Sequence, residues 1–151
     1  MKSALIIFVR HPVLGKVKTR IAAAIGDENA LAVYKYLLQH TKNITVGLPV
    51  TRFVFYADEV TTDDLWTGYE KCLQSGSDLG ERMSHALECL FERGFNKIVI
   101  IGSDCFELDE NMISVAFLKL NEYEIVIGPA ADGGYYLLGM QSPFKNLFQN
   151  I

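Results

Sequence analysis

The sequence has few cysteines, no long apolar run and no excess of positive charge, and each absence excludes a class of protein. Its 151 residues include three cysteines, an odd number without the spacing of a zinc site, so we expect reduced thiols rather than a disulfide framework. The apolar runs are too short to span a bilayer, and the first residues lead directly into a predicted strand without a signal-peptide cleavage site. We therefore expect a cytoplasmic protein with no membrane partner.

The charge balance argues against a nucleic-acid partner. Asp and Glu total 18 against 14 Lys and Arg, a formal net charge of -4, whereas a chain with general affinity for nucleic acid is basic. Half of the residues are apolar, and we find no repeat and no low-complexity tract. We therefore expect a single folded domain over residues 1–151, which can bury a core without metals or disulfides.

The apolar residues follow two periods that alternate along the chain. Runs of β-branched and aromatic residues without polar alternation predict strands that are buried on both faces, while spacing of three and four residues predicts amphipathic helices between them. The fold class is therefore α/β, with a mostly parallel central sheet and helices on both faces. The predicted strands of this sheet are Ser3 to Val9, Arg52 to Ala57, Ile98 to Ile101 and Ile125 to Ile127, with a short extended piece at Glu70 to Gln74 and an antiparallel strand at Tyr135 to Met140.

The predicted helices have recognisable ends. One begins near Lys18, and the next is predicted over Glu28 to His40 with Asp27 as its cap. A helix over Leu79 to Arg93 would be capped by Asp78 and stopped by Gly94, and Asp109 would cap one more.

The central strand ends in Gly102-Ser103-Asp104-Cys105, and this ending predicts a ligand site. Open α/β sheets bind ligands just beyond the carboxyl ends of their strands, which is where Asp104 falls. A carboxylate there is placed to hold a divalent metal or a substrate hydroxyl. Cys105 has no neighbouring His or Lys in sequence to lower its pKa, so we interpret it as a packing residue rather than a nucleophile.

The loop after the first strand is basic in an otherwise acidic chain. Four of the eleven residues from Arg10 to Arg20 are Lys or Arg, around a turn formed by Pro12 and Gly15. Such a loop before a helix suits a diphosphate, and Lys16, Lys18 and Arg20 would supply the charge. The alternative is a solvated basic turn.

A second glycine-rich segment, Gly128 to Gly139, carries Asp132 and suits a loop that lies close to a ligand. Because we expect Asp104 and Asp132 to follow two central parallel strands, we predict that their carboxyl groups lie within roughly 10 Å of each other and share one ion. Either aspartate could instead bond nearby backbone N–H groups in a turn. We assign no chemistry to His40 and His85, and we interpret the carboxylates at 58–59 and 63–64 as a solvated loop.

Three blocks together carry a family resemblance: P-V-L-G-K-V-K-T-R at 12–20, S-D-L-G-E-R-M at 77–83 with G-S-D-C behind it, and G-P-A-A-D-G-G-Y-Y-L-L-G at 128–139. Their combination and order resemble the largely uncharacterised bacterial family of predicted glycosyltransferases in the nucleotide-diphospho-sugar transferase superfamily, which has the GT-A fold. Molybdenum-cofactor and phospholactate guanylyltransferases are distant relatives with the same fold, so the fold alone does not select the reaction.

The resemblance implies a role for each matching residue. The loop that binds the phosphates of the nucleotide would be formed by Gly15, Lys16, Lys18 and Arg20. Asp104 would hold a Mg²⁺ or Mn²⁺ ion with Asp132 as a second acidic group, both in the catalytic site, and the segment from Asp78 to Arg82 would border the nucleotide pocket.

The function implied by the resemblance is metal-dependent transfer of a sugar from a nucleotide-diphospho-sugar to a small-molecule acceptor. The alternatives are a nucleotidyltransferase that forms a nucleotide-diphospho product, and a nucleotide-binding module without turnover. Two departures from the family pattern bear on this choice. Phe106 stands where family members commonly have proline, and family members usually continue beyond the position of Ile151 with a helical stretch on the acceptor side.

Overall fold

A computed structural model of the chain describes residues 2–130 and 135–144. Strands and helices alternate along it in the order β1 (Ser3–Val9), α1 (Thr19–Ile25), α2 (Asp27–Thr45), β2 (Thr51–Tyr56), β3 (Glu70–Leu73), α3 (Leu79–Glu92), β4 (Lys97–Ile101), α4 (Glu110–Lys119), β5 (Ile125–Pro129) and β6 (Tyr135–Met140). None of these described helices combines the length and the apolarity needed to cross a membrane.

The described strands form one sheet in the order β3-β2-β1-β4-β6-β5. β1 pairs in parallel with β2 on one side and β4 on the other, and β2 pairs in parallel with β3. β6 is antiparallel to both of its neighbours. The predicted α/β class, the four predicted strands of the sheet and the antiparallel final strand are confirmed.

The predicted position of β5 was wrong. We expected it in the centre of the parallel sheet, but it lies at the end of the strand order, because β6 turns back and pairs between β4 and β5. Partial exposure of β5 reflects this edge position: Ile127 is 51% exposed, whereas every residue of β4 is buried. Since β4 and β5 are both antiparallel to β6, they still run in the same direction. Asp132 lies outside the described residues, so its predicted distance from Asp104 stays a prediction.

The core has one apolar layer on each face of the sheet. Alternate residues of a strand point to opposite faces, and those of β1 divide accordingly. Leu5 and Ile7 pack in the layer that includes residues of α2 and α4, whereas Ala4 and Ile6 pack in the layer that includes residues of α3. Helices therefore cover both faces, as predicted, and the carboxyl ends of the central strands remain open to a ligand.

The predicted caps at Asp78 and Asp109 are confirmed, since their carboxylates accept hydrogen bonds from the backbone N–H groups of Glu81 and Met112, both at 2.8 Å. The prediction for α2 was wrong at both ends. Gly26 is its N-cap residue, and the side chain of Asp27 makes no capping hydrogen bond. The helix continues beyond His40 to Thr45 because Thr41 and Thr45 bury their hydroxyls by donating to backbone carbonyls of the preceding turn, so neither residue ends it.

The segment after β2 is not the simple solvated loop that we predicted, because Asp64 is bound on several sides. Its carboxylate accepts hydrogen bonds from the Tyr56 hydroxyl, from Lys71 Nζ at 2.9 Å and from the backbone N–H of Trp66 at 3.0 Å. Burial alone would raise the pKa of Asp64, but these bonds outweigh it and hold the pKa below its ordinary value of 3.8. Burial and the bond to this carboxylate together raise the pKa of Tyr56.

We predict that Asp64→Asn destabilises the protein by about 1–3 kcal/mol at pH 7, because the amide leaves one of its donor partners unpaired. Since the folded-state pKa of Asp64 is depressed, the unfolded chain binds more protons in acid. The contribution of Asp64 is therefore complete above pH 3.8 and is lost as the pH falls through the folded-state value. Urea unfolding at pH 7 and about pH 3 measures this.

The exposed neighbour Asp63 provides the matched control. Asp63→Asn should leave the free energy of unfolding nearly unchanged. An Asp64→Asn deficit that is the same at both pH values would contradict the proposed role of the ionised carboxylate.

Candidate functional site

A cleft of about 360 Å³ opens at the carboxyl ends of β1, β2, β3 and β4. This volume lies in the range typical of small-molecule sites. Its lining comes from seven separate stretches of the chain and comprises Phe8, Val9, Arg10, Lys16, Val17, Lys18, Thr19, Tyr34, Ala57, Gln74, Leu79, Gly102, Ser103 and Asp104. The basic loop and the Asp104 loop therefore meet in one cavity, although Lys18 and Asp104 are 86 residues apart in the sequence.

The basic loop presents two of its lysines to this cleft. Val17 is buried in the core and anchors the loop, while Lys16 and Lys18 on either side of it line the cavity. Gly15 forms the preceding turn with a φ of 79°, a conformation that glycine adopts without steric cost. The loop thus holds two ammonium groups beside the cleft, which suits an anionic ligand.

Lys18 has an unusual backbone conformation. Its φ of 50° and ψ of 46° are left-handed, and it is the only residue other than glycine with a positive φ in the part of the chain that the structure describes. A side chain in this region costs energy, and such residues cluster at ligand-binding and catalytic sites. The conformation therefore favours a functional role for Lys18 over the solvated-turn alternative.

Asp104 faces Lys18 across the mouth of the cleft. Its Oδ2 lies 3.8 Å from Lys18 Nζ, and its side chain is 63% exposed. The absence of a side chain at Gly102 leaves room for the carboxylate, because a Cβ there would stand 3.2 Å from Asp104 Oδ1. The carboxylate is accessible, although at this distance and exposure its ion pair with Lys18 is weak.

The fit of a divalent ion follows from this arrangement. The described residues contain no group of three His, Cys, Asp or Glu side chains that could enclose a metal. A site of zinc type with four protein ligands therefore does not fit them. One accessible carboxylate does fit Mg²⁺ or Mn²⁺, since a hard ion of this kind keeps waters and takes further oxygens from substrate phosphates.

The other predicted site residues lie at or behind the wall of the cleft. Arg20 is exposed and does not line it. The Asp78 carboxylate caps α3, so the neighbouring Leu79 lines the cleft instead. Arg82 lies behind the wall, where its guanidinium donates to the carbonyl of Gly76 at 3.1 Å and to the side-chain oxygen of Gln74 at 3.2 Å.

Two cleft residues were missed in the sequence, Tyr34 and Gln74. Tyr34 belongs to the apolar stripe of α2 and is buried, and a buried tyrosine usually has a hydrogen-bond partner for its hydroxyl, which is the signal that could have identified it. Gln74 follows β3, and its amide is fixed on both sides, since it donates to the carbonyl of Phe55 at 3.0 Å and accepts from Arg82.

A second hollow of about 350 Å³ lies beside the first and shares Arg10 and Lys16 with it. Asp58 and Glu59 line its opposite side, so these carboxylates face two cations. The carbonyl of Glu59 also lies 2.6 Å from Nε2 of His11, which holds this loop against the basic loop.

Phe106 does not displace the Asp104 loop from the cleft. Its exposed ring packs against the rings of Tyr36 and His40 on α2, with centroids 5.8 and 5.1 Å away. His40 also lies within hydrogen-bond distance of the Leu108 carbonyl, at 2.8 Å. These contacts join α2 to the loop that carries Asp104. Cys105, half-buried, packs against the core in agreement with its predicted packing role.

Comparison with known proteins identifies the family. The model of a family described as "uncharacterized protein conserved in bacteria (DUF2064)" matches residues 42–151. The chain belongs to this bacterial family. It has no significant match among curated proteins.

Solved structures share the fold of this family member. A protein from Desulfovibrio desulfuricans G20, provisionally assigned as a nucleotide-diphospho-sugar transferase, is 33% identical with a TM-score of 0.89 over 100% of this chain and 69% of its own. A cytidylyltransferase from Leptospira borgpetersenii is 18% identical with a TM-score of 0.55 over 99% of this chain and 63% of its own. The bifunctional IspDF from Campylobacter jejuni is 10% identical with a TM-score of 0.60 over 100% of this chain and 44% of its own. The nucleotide-diphospho-sugar transferase fold is thereby confirmed.

We predict that Lys18→Gly is more stable than Lys18→Ala by about 1 kcal/mol, because alanine keeps the steric cost of the left-handed conformation and glycine removes it. The gain is partly offset by the greater freedom of glycine in the unfolded chain. Guanidinium unfolding of the two variants measures the difference.

The same pair of substitutions at Lys16, whose φ is not positive, is the control. There glycine should be no more stable than alanine. Equal stability of the two Lys18 variants would contradict the inference of backbone strain.

Proposed function

We propose that this protein is a transferase that binds a nucleotide-diphospho-sugar in the cleft and transfers the sugar to a small-molecule acceptor. The observation that carries the proposal is the approach of Lys18 to Asp104, at 3.8 Å, at the mouth of a cavity that Lys16 also lines. The two lysines are complementary to a diphosphate, and the accessible carboxylate is complementary to the divalent ion that accompanies it. The 33% identity to the Desulfovibrio protein supports the same substrate class.

The lysines would stabilise the leaving group. When the bond between the anomeric carbon and the diphosphate breaks, negative charge gathers on the diphosphate oxygens, and fixed cations beside those oxygens lower the barrier. Lys16 and Lys18 supply such charge, and the left-handed backbone of Lys18 fixes where its side chain begins. Mg²⁺ or Mn²⁺, when bound at Asp104 and Asp132, would neutralise part of the same charge.

The opposite end of the cleft suits a nucleoside. Gln74 retains one amide hydrogen and one oxygen lone pair beyond its bonds to Phe55 and Arg82, so it offers a donor and an acceptor in fixed positions. Leu79 is exposed beside it and offers an apolar surface for a base. On this proposal the base would lie near β3 and the diphosphate near Lys18.

Nucleotidyl transfer is the second candidate, because cytidylyltransferases share the fold and because pyrophosphate would need the same cations. A nucleotide-binding module without turnover is the third. A product assay separates them: release of a nucleoside diphosphate from a nucleotide-sugar supports glycosyl transfer, whereas release of pyrophosphate from a nucleoside triphosphate and a sugar phosphate supports nucleotidyl transfer.

The test of the shared step is isothermal titration with a panel of nucleoside diphosphates and nucleotide-sugars, with and without Mg²⁺ or Mn²⁺. We expect binding that the ion strengthens, and Asp104→Asn should remove that ion-dependent gain more completely than Asp132→Asn. Binding without any product would favour the module. No binding of any nucleotide would end the proposal.

We predict that changing Lys16 and Lys18 together to alanine weakens nucleotide binding by more than about tenfold, since charge-assisted bonds contribute roughly 1.5–3 kcal/mol each. The affinity should also lose part of its salt dependence, because two screened charges are removed. Titration of the variant at two salt concentrations measures both effects.

Arg20→Ala is the matched control, because Arg20 belongs to the same basic segment but does not line the cleft. It should keep most of the affinity. If Arg20→Ala and the double lysine variant lose affinity equally, general attraction by the basic loop explains the binding and the cleft does not.

A further inference from the structure

The hydroxyl of Tyr34 has three hydrogen-bond partners at the floor of the cleft. The backbone N–H of Arg10 donates to it at 2.9 Å, and the carbonyl of Arg10 lies 3.0 Å away as an acceptor. The hydroxyl of Ser103 lies at 3.3 Å. One proton and two lone pairs satisfy all three partners if the Ser103 hydroxyl donates to Tyr34. The tyrosine is only 5% exposed, and burial raises the pKa of its hydroxyl, so this group stays protonated.

These partners lie where two neighbouring strands have just ended. The β1–β4 pairing runs from Ser3 to Ile7 on β1 and ends at Ile101 on β4. Arg10 is the first residue after β1, and Ser103 lies shortly after the end of β4. The Tyr34 hydroxyl, which comes from α2, therefore joins the two chain segments where the strands no longer pair. We call these contacts of Arg10, Tyr34 and Ser103 the Tyr34 junction.

The ion pair of Lys18 with Asp104 also connects the two loops. It is 3.8 Å long and its carboxylate is solvent-exposed, and long pairs that are open to solvent contribute little to stability. A bound nucleotide would also compete for both partners, since the phosphates attract Lys18 and a divalent ion attracts Asp104. In the Tyr34 junction the side chains of Tyr34 and Ser103 are buried, so these bonds would remain intact when the ion pair opens.

We propose that Tyr34 is a positioning residue, which holds the basic loop and the Asp104 loop at the spacing that a diphosphate and its ion require. The loop spacing itself is independent of the reaction, whereas its effect on affinity rests on the proposed function. Since the proton and both lone pairs of the hydroxyl are engaged by these partners, it would act through the backbone of Arg10 and through Ser103 and not by bonding the phosphates or the ion.

The test compares Tyr34→Phe with Tyr69→Phe. Both changes remove one buried hydroxyl that is bonded within the core. The Tyr69 hydroxyl lies 2.6 Å from that of Thr45, which belongs to α2, the helix that also carries Tyr34. Amide hydrogen exchange is measured by mass spectrometry on peptides that cover residues 10–18 and 102–108. Affinity for a nucleoside diphosphate with Mg²⁺ is measured by titration.

We expect Tyr34→Phe to speed exchange in both loops by about tenfold and to weaken nucleotide binding by a similar factor, since one buried hydrogen bond is lost at the point where the loops join. Tyr69→Phe should lower thermal stability to a similar extent without either effect. Ser103→Ala, which removes one arm of the junction, should speed exchange in residues 102–108, and it keeps the test decisive if Tyr34→Phe does not fold.

Unchanged exchange in the two loops of Tyr34→Phe, or equal changes in Tyr69→Phe, would overturn the positioning role. If the wild-type protein binds nucleotide and Tyr34→Phe shows faster exchange but binds the nucleotide equally well, the proposal also fails. If the wild-type protein binds no nucleotide, the proposed function fails, and faster exchange in Tyr34→Phe alone would still support the junction as the link between the loops.

Discussion

Parallel pairing of β1 with β4 is the constraint on which the candidate site depends. Ile7 of β1 stands opposite Ile101 of β4, so the loops that follow these strands leave the sheet side by side. Both strands are almost entirely buried, and a shift of register would disturb packing on both faces. The apolar core thus determines that Lys18 and Asp104 approach each other, although neither residue belongs to it.

The residues where these two loops meet contribute little to the stability of the fold. Lys18 has a left-handed backbone, its ion pair with Asp104 is long and partly exposed, and Gly102 has no side chain that could pack beside the carboxylate. None of these features helps the chain to fold. Asp64, in contrast, is surrounded by donors and has the lowered pKa expected of a stabilising carboxylate. The two aspartates therefore differ in their contribution to the fold: Asp64 stabilises it, whereas Asp104 leaves its carboxylate accessible.

The fold could be predicted from the sequence where local pattern determines it. Unbroken apolar runs predicted β1 and β4, and the two aspartate caps followed from short-range spacing. The order of β5 and β6 could not be predicted, since an apolar run does not indicate which neighbour it pairs with. Of the site, Asp104 and the lysines were predictable because they follow a strand or form a cluster of charge. The partners of Tyr34 and Asp64 were not predictable, since they are distant in sequence or hidden in a loop, although the place of Tyr34 in an apolar stripe indicates that its hydroxyl needs a partner.

The topology also indicates where the choice between glycosyl and nucleotidyl transfer is made. Both reactions need a nucleoside and phosphate charge, and the β1, β2 and β3 side of the cleft supplies groups for these through Gln74, Lys16 and Lys18. If the nucleotide binds as proposed, the acceptor approaches from the remaining side, beyond Asp104. There β4 is followed by β6 and β5, whose hairpin flanks Asp132. Residues of this hairpin, rather than those that face the nucleotide, should therefore distinguish the two reactions.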